Sequence, residues 1–272
     1  MDARTELADI LNQTRDYLNA LLDDGVSTLE IALPERGQAA AVAPAVAVNA
    51  AQPAVPKQAP GATGSAAASS PAAPGLVSAD LQRIAAAAAA CTKCALHKTR
   101  TRAVPGQGHP HPRILFVGEA PGEEEDRQGL SFVGPAGQLL TQMIEAMGFK
   151  REDVFIANIL KCRPPGNRTP LPDERAACLP YLREQIAALK PDAIVALGGV
   201  AAQSLLHTET GITRLRGTWS RFEGIDVMPT FHPSHLLHTP SAKREAWADL
   251  QDVCRRLGHT PPPVKKKPAG AP

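Results

Sequence analysis

The sequence predicts an α/β protein, a three-layer α/β/α sandwich around a central, mainly parallel sheet of four strands, preceded by a disordered linker. Three observations predict it. Four short runs rich in β-branched residues occur at 113–118, 153–158, 193–198 and 225–230, each bounded by Gly, Pro or charge. Helical stretches separate them, near 135–148, 172–189 and 199–207, with a last one near 241–257. Strands that alternate with helices imply a parallel sheet covered on both faces. Residues 35–77 are nearly all Ala, Pro, Val, Gly, Ser and Gln, with almost no charge and no aromatic residue, and cannot bury enough surface to offset the entropy of ordering.

In chain order, residues 1–34 come first. Leu7, Leu11, Leu18, Leu21 and Leu22, with Ile10 and Tyr17, recur at helical spacing, and Gly25 stands where a helix would stop. This amphipathic helix has no neighbour in sequence to cover its stripe, so it either docks back on the chain or binds a protein partner. The linker, 35–77, is kept partly extended by its prolines. A second helix begins at Ser78, a good N-cap, and runs through alanines to Cys91. It opens the main domain, 78–258, in which Pro172, Asp173 and Glu174 form a helix start with proline in the first turn and acids at the positive end of the dipole. The tail, 259–272, carries three prolines and then Lys265, Lys266 and Lys267, and is expected to be disordered and basic.

Composition narrows the class. The formal net charge of +2 over 272 residues does not announce a nucleic-acid partner by itself, so phosphate-binding charges would have to concentrate on one face. The start, Met1-Asp2-Ala3-Arg4, has no apolar run behind it, and no run of eighteen apolar residues occurs. Neither a signal peptide nor a membrane span is expected, and the expected location is the cytoplasm. In a reducing compartment five cysteines are ligands, reactive thiols or core residues sooner than disulfides.

Cys91 and Cys94 form a CxxC pair, whose thiols can face one metal centre from a single turn. Cys162 and Cys178 follow, fifteen residues apart, and could complete a four-thiolate site. Spacing alone leaves an iron-sulfur cluster, zinc or unliganded thiols open. The second half lacks the tight knuckle of a structural zinc site, which favours a bulkier cluster. Cys254, in the last helix, reads as a buried core cysteine.

The chemistry is expected where strands end. The first strand runs into GEAPGEEED (118–126), where Gly118 permits close approach of backbone to ligand and the carboxylates offer a base. GLSFVGPAG (129–137) is a Gly-rich loop that opens a helix and matches neither a dinucleotide fingerprint nor a P-loop. Asn158 ends the second strand; a carboxamide there can make two directional hydrogen bonds to the edge of a base. The basic loop behind it, Lys161 to Arg168, would lie along phosphates. The fourth strand runs into FHPSHLLH (231–238), where His232 reads as an electrophilic group beside an apolar wedge.

These motifs, in this order and with all four cysteines in place, resemble the family 4, iron-sulfur uracil-DNA glycosylases from about Cys91 to Leu257. The resemblance implies uracil-containing DNA, single- or double-stranded, as substrate, a monomeric enzyme and a [4Fe-4S] cluster on Cys91, Cys94, Cys162 and Cys178. It says nothing about residues 1–77. It implies that Phe132 stacks on an everted uracil, that Asn158 pairs with its N3 and O4 edge, and that Glu125 excludes thymine by bulk beside C5. His232 would approach O2 of the departing base, and Glu119 would orient or activate water or offset the cationic sugar. Gly118 and Ala120 would lie against the base; better-known uracil glycosylases carry an aspartate at the place of Ala120. Leu236 and Leu237 would hold open the base stack, with Arg163, Arg168 and Lys243 on phosphates. A related branch traps its product through a histidine that the 167–172 segment lacks, so ordinary turnover is expected. Two other classes stay in view, a DNA-binding redox module and a zinc-stabilised interaction protein. Neither needs an amide and a histidine at the open edge of the sheet.

Overall fold

The computed structural model describes residues 78–263. The predicted N-terminal helix, the linker and Lys265 to Lys267 lie outside the described residues. Six strands form one sheet: β1 (Gln107–Gly108), β2 (Ile114–Gly118), β3 (Phe155–Asn158), β4 (Ala193–Leu197), β5 (Ser220–Phe222) and β6 (Ile225–Thr230), in the order β1-β3-β2-β4-β6-β5. The inner four run parallel and are the four predicted strands. The two edges, β1 and β5, pair antiparallel and correct the predicted count of four to six. Both are short and only partly buried, so neither carries the apolar run by which a buried strand is read. β5 joins β6 through Glu223 and Gly224 at φ 50° and 85°, a two-residue turn with both φ positive that matches the twist of the flanking strands.

Eight α-helices accompany the sheet among the described residues: α1 (Ala79–Ala89), α2 (Glu123–Gln128), α3 (Pro135–Ala146), α4 (Pro172–Leu189), α5 (Gly199–Leu206), α6 (Ile212–Leu215), α7 (Pro233–His238) and α8 (Lys243–Arg256). None is long and apolar enough to cross a membrane. The start of α4 forms as its sequence predicts, with Pro172 in the first turn and the Glu174 carboxylate accepting from the Leu171 amide at 2.8 Å. α2, α6 and α7 were not among the predicted helices. α2 places four acids at its positive end and stops at Gly129, whose φ of 76° suits glycine.

Every residue of β2 and β4 is buried, and successive side chains go to opposite faces. Leu115, Val117, Ile194, Ala196 and Val227 pack with Leu81, Leu182, Ile186 and Leu205. Ile114, Phe116, Ile156, Val195 and Met228 pack with Leu140, Ile144, Leu250, Val253 and Cys254. Burial of each of the Val, Leu, Ile, Phe and Met side chains among them contributes about 1.5–3 kcal/mol. Cys254 is the core residue it was expected to be, fully buried in the second of these layers. His259, the first residue of the predicted tail, bonds the Met147 carbonyl at 2.8 Å and lies 4.4 Å from the Phe149 ring. Packing therefore holds the chain at that point.

Candidate active site and cysteine cavity

The order of the parallel strands places β2 between β3 and β4, so the chain leaves β2 to one side and returns on the other. Open α/β sheets bind ligands in the crevice at such a switch point, beyond the carboxyl ends of the strands. A cavity of about 410 Å³ lies there, lined by Glu119, Ala120, Glu125, Phe132, Asn158, Gly198, His232 and Ser234, among others. Glu119 follows β2, Asn158 ends β3, Gly198 follows β4 and His232 stands two residues beyond β6. Backbone bonds from Ile159 and Leu160 to the carbonyls of Gly118 and Glu119, at 2.9 and 3.0 Å, lock two of these ends together.

Asn158 is 1% exposed, yet neither its side-chain oxygen nor its nitrogen has a hydrogen-bond partner. An orphaned buried amide costs about 1–3 kcal/mol, which a ligand with a complementary edge would recover. Gly118, opposite Asn158 in register, leaves the space this amide occupies: a Cβ there would stand 2.5 Å from Asn158 Oδ1 and 2.5 Å from Phe132 Cζ. Beneath, Lys161 is buried and donates to the Asn158 carbonyl at 2.8 Å and to Gln185 Oε1 at 2.7 Å, while Gln185 donates to the Pro105 carbonyl. Burial pushes the Lys161 ammonium down to about 8, against the pull of the Cys178 sulfur beside it.

Phe132 lies with its ring centroid 5.6 Å from that of His232. Glu125 lines the cavity and spends its carboxylate on backbone amides: Oε1 accepts from Val133 and Gly134 at 2.8 and 2.9 Å, and Oε2 from Gly122 at 3.1 Å. His232 is the N-cap of α7, its Nδ1 accepting from the Ser234 amide at 3.2 Å. That bond leaves Nε2 as the proton-bearing nitrogen of the neutral ring. Burial pushes the imidazole down to about 4; Glu125 works in the opposite direction and His235 in the same one. Burial likewise raises the Glu119 carboxyl, and the Arg175 guanidinium opposes it.

The four predicted ligand cysteines line a second, small cavity with Ala88, Leu96, Leu160, Arg100, Lys161 and Tyr181, and no carboxylate borders it. Three of the four sulfurs receive donors: Cys162 from Arg100 Nη1 at 3.1 Å, Cys178 from the Lys161 amide at 3.2 Å and Cys91 from the Lys93 amide at 3.5 Å. Among the described residues no three His, Cys, Asp or Glu side chains are grouped to hold a single metal ion. The thiols surround a space; they do not converge on a point.

Other predicted residues fall less simply. Leu236, one of the expected wedge pair, is 1% exposed and packs on Phe231, Ala242 and Ala246, whereas Leu237 is 43% exposed. Of the expected pair, only Leu237 is therefore exposed. Lys161 is buried and so is no phosphate contact in the basic loop. Arg168 lines the cavity but is held by both oxygens of buried Glu174, at 2.9 and 2.7 Å. Arg163 bonds Asn167 and Glu123 at 2.7 and 3.1 Å. Lys243 is exposed at the start of α8 and does not border the cavity. Sequence reasoning missed Ser234 as the partner of His232, and missed Lys161 and Gln185 as the floor under Asn158. The Ser234 motif was within reach, two residues from the histidine. Gln185 lies 24 residues beyond Lys161, on another element, with no local signal.

The model of the uracil DNA glycosylase superfamily matches residues 105–251. A type-4 uracil-DNA glycosylase of Thermotoga maritima is 51% identical over 155 residues, 56% of this chain and 80% of that protein. Those of Sulfurisphaera tokodaii and Archaeoglobus fulgidus are 45% and 44% identical, over 66% and 63% of this chain and 86% and 90% of theirs.

Proposed function

Since this chain belongs to the uracil-DNA glycosylase superfamily, as a type-4 member, we propose that its carboxyl-edge cavity receives a uracil turned out of DNA and serves to hydrolyse the bond joining it to deoxyribose. The protein is a uracil-DNA glycosylase; the products are free uracil and an abasic site from which base-excision repair proceeds.

A base within a duplex is out of reach of such a cavity, and turning it out costs a few kcal/mol. Stacking on Phe132 returns roughly 1–3 kcal/mol of this. Uracil N3–H donates to Asn158 Oδ1 and Asn158 Nδ2 donates to uracil O4, so both orphaned atoms are satisfied. Cytosine presents the opposite pattern, and a site built on such pairing rejects it strongly. Gly118 and Ala120 lie against the base, and Glu125, held by three backbone amides, stands as a fixed wall beside C5 that a thymine methyl meets. Arg163, Arg168 and Lys243 serve phosphates, the first two by turning from Glu123 and Glu174, the carboxylates that now engage them.

Leu237 enters the gap that the base leaves. Leu237→Ala is expected to leave the melting temperature unchanged and to slow excision from paired DNA more than from single strands. Leu236→Ala is expected to cost about 2–5 kcal/mol of stability, as loss of a buried leucine does. Thermal melts and excision rates on the two substrates check both.

Cleavage leaves negative charge on the departing uracil, and donors aimed at that charge are usually the largest catalytic contribution. His232 Nε2–H donates to O2. The Glu119 carboxylate orients water or offsets positive charge on the sugar; with Ala120 where other glycosylases keep an aspartate, positioning and electrostatics carry most of the rate. A donor that stays neutral through pH 6.5 gives a pH dependence of definite sign. As pH falls, His232 in the folded protein remains neutral until about 4, so kcat/KM is expected to lack an imidazole limb near 6.5; its acid limb follows protonation of Glu119, whose carboxyl burial raises, with His232 adding to it near 4. The unfolded histidine takes its proton from 6.5 downward, so folding stability declines across that window while activity persists. A pH–rate profile on single-stranded substrate checks this.

The four thiols fit a [4Fe-4S] cluster: they border one common cavity, three of them receive a guanidinium or backbone-amide donor, and no carboxylate lines it. Cys91, Cys94, Cys162 and Cys178 would hold it, and when bound it supplies a structural cross-link between the end of α1 and the loop after Asn158. Among the alternatives a zinc ion fits less well, because no three of these side chains are grouped on one point.

The observation that carries this reading is the Asn158 amide, buried without a partner beside an aromatic ring and a neutral histidine. Incubation with a uracil-containing oligonucleotide, followed by alkali, is expected to break the strand at the uracil. An intact strand from folded, iron-loaded protein overturns it.

A further inference from the structure

Phe132 sits in a conformation that a bulky residue rarely adopts. Its φ is 53°, in the left-handed region, where a phenylalanine costs free energy that the surroundings must offset. The surroundings are specific. Arg151 Nη2 donates to the Phe132 carbonyl at 2.9 Å and to the Ser131 carbonyl at 2.6 Å, and Nη1 donates to Thr141 Oγ1 at 2.9 Å. On the other side of the same turn, the Glu125 carboxylate takes the amides of Val133 and Gly134. Gly137 closes the clamp from α3, for a Cβ there would stand 1.9 Å from the Phe132 carbonyl oxygen.

We propose that Arg151 is a positioning residue for uracil: by gripping the Ser131 and Phe132 carbonyls it holds the Phe132 ring as a preformed stacking face, although it does not itself line the cavity. The guanidinium suits this task better than an ammonium, because its planar fork serves two carbonyls and a hydroxyl at once. Sequence offers no hint of the link, since Arg151 lies 19 residues from Phe132 in a short turn before β3. Without the grip, Phe132 is free to relax toward an ordinary backbone conformation, and the face must be rebuilt each time a base arrives. A preorganised site avoids that cost.

The inference rests on the uracil reading above, and the experiment separates the two. Affinity is measured for two oligonucleotides of one sequence, one with a non-hydrolysable 2′-fluoro-deoxyuridine and one with an abasic analogue at the same position. Wild-type protein is expected to bind the first more tightly; equal binding overturns the uracil reading and this inference with it. Given that preference, Arg151→Met is expected to weaken binding of the fluoro-uridine strand by between about five- and a hundredfold, the range of a lost stacking contact. Binding of the abasic strand stays within twofold, and Arg151→Lys recovers part of the loss. Equal weakening on both strands, or none on the first, overturns the role of Arg151. Thr141→Val, which removes the third partner of the guanidinium together with the hydroxyl's own bond to the Gly137 carbonyl, is expected to give the same selective loss at smaller size should Arg151→Met fail to fold; full uracil affinity in that variant overturns the proposal in that case.

Discussion

Asn158→Ala is expected to slow single-turnover release of uracil by about 10³-fold or more while leaving the protein at least as stable as before. The two halves have one cause. Both polar atoms of this side chain are buried without partners, so the free protein carries a desolvation cost that only a bound pyrimidine edge relieves. Removing the amide removes that cost, and the small cavity left behind borders the open site, where water can enter. The substrate loses two hydrogen bonds that fix it against Phe132 and His232, in a place where misplacement by about 1 Å alone can cost 10²-fold. Rapid-quench kinetics and a thermal melt, run on the same preparation, measure the pair. A variant that loses activity together with several degrees of stability would mean that Asn158 holds the fold and does not read the base.

The second large effect concerns the thiols. Cys162→Ser or Cys178→Ser is expected to abolish visible absorbance and bound iron, and to lower stability by at least about 3 kcal/mol, since binding energy at a structural metal site is folding energy. For a domain of this size that is a fall of roughly 6–12 °C in melting temperature. The reason lies in what surrounds them. Both sulfurs are buried, Arg100 is aimed at one and the Lys161 amide at the other, and the Lys161 ammonium is buried with no carboxylate bonded to it. Cys254→Ser provides the contrast. That thiol lies in the core beside Val253 and Leu250, so its loss is expected to leave the iron content intact. Iron analysis and melts of the three variants decide. Full iron in Cys162→Ser would exclude the four-thiolate site.

The parallel core was legible because β2 and β4 are buried on both faces and must be apolar throughout, which composition reveals directly. The edges were not, because β1 and β5 owe their place to pairing with β3 and β6, not to any pattern of their own. The same division runs through the site. Asn158, His232 and Phe132 stand at strand ends or in a Gly-rich loop, and such positions can be read in a single pass. Leu236 and Leu237 could not be told apart, because they fall on a helix where neighbours point about 100° away from each other, and only the packing of α7 decides which is covered. Lys161 and Arg168 read as free cations for the same reason: the partners that engage them, Gln185 and Glu174, lie on α4. Arg151 shows the limit most plainly, since its target is a strained carbonyl, and strain leaves no mark in composition.

The convergence of Asn158, Phe132 and His232 on one everted base is tested most directly by a structure of the protein bound to a 2′-fluoro-deoxyuridine oligonucleotide. The expected result is a uracil ring against Phe132, its N3 and O4 on the Asn158 amide and its O2 against His232 Nε2. A uracil bound elsewhere, or one that leaves the Asn158 amide still without a partner, would contradict it.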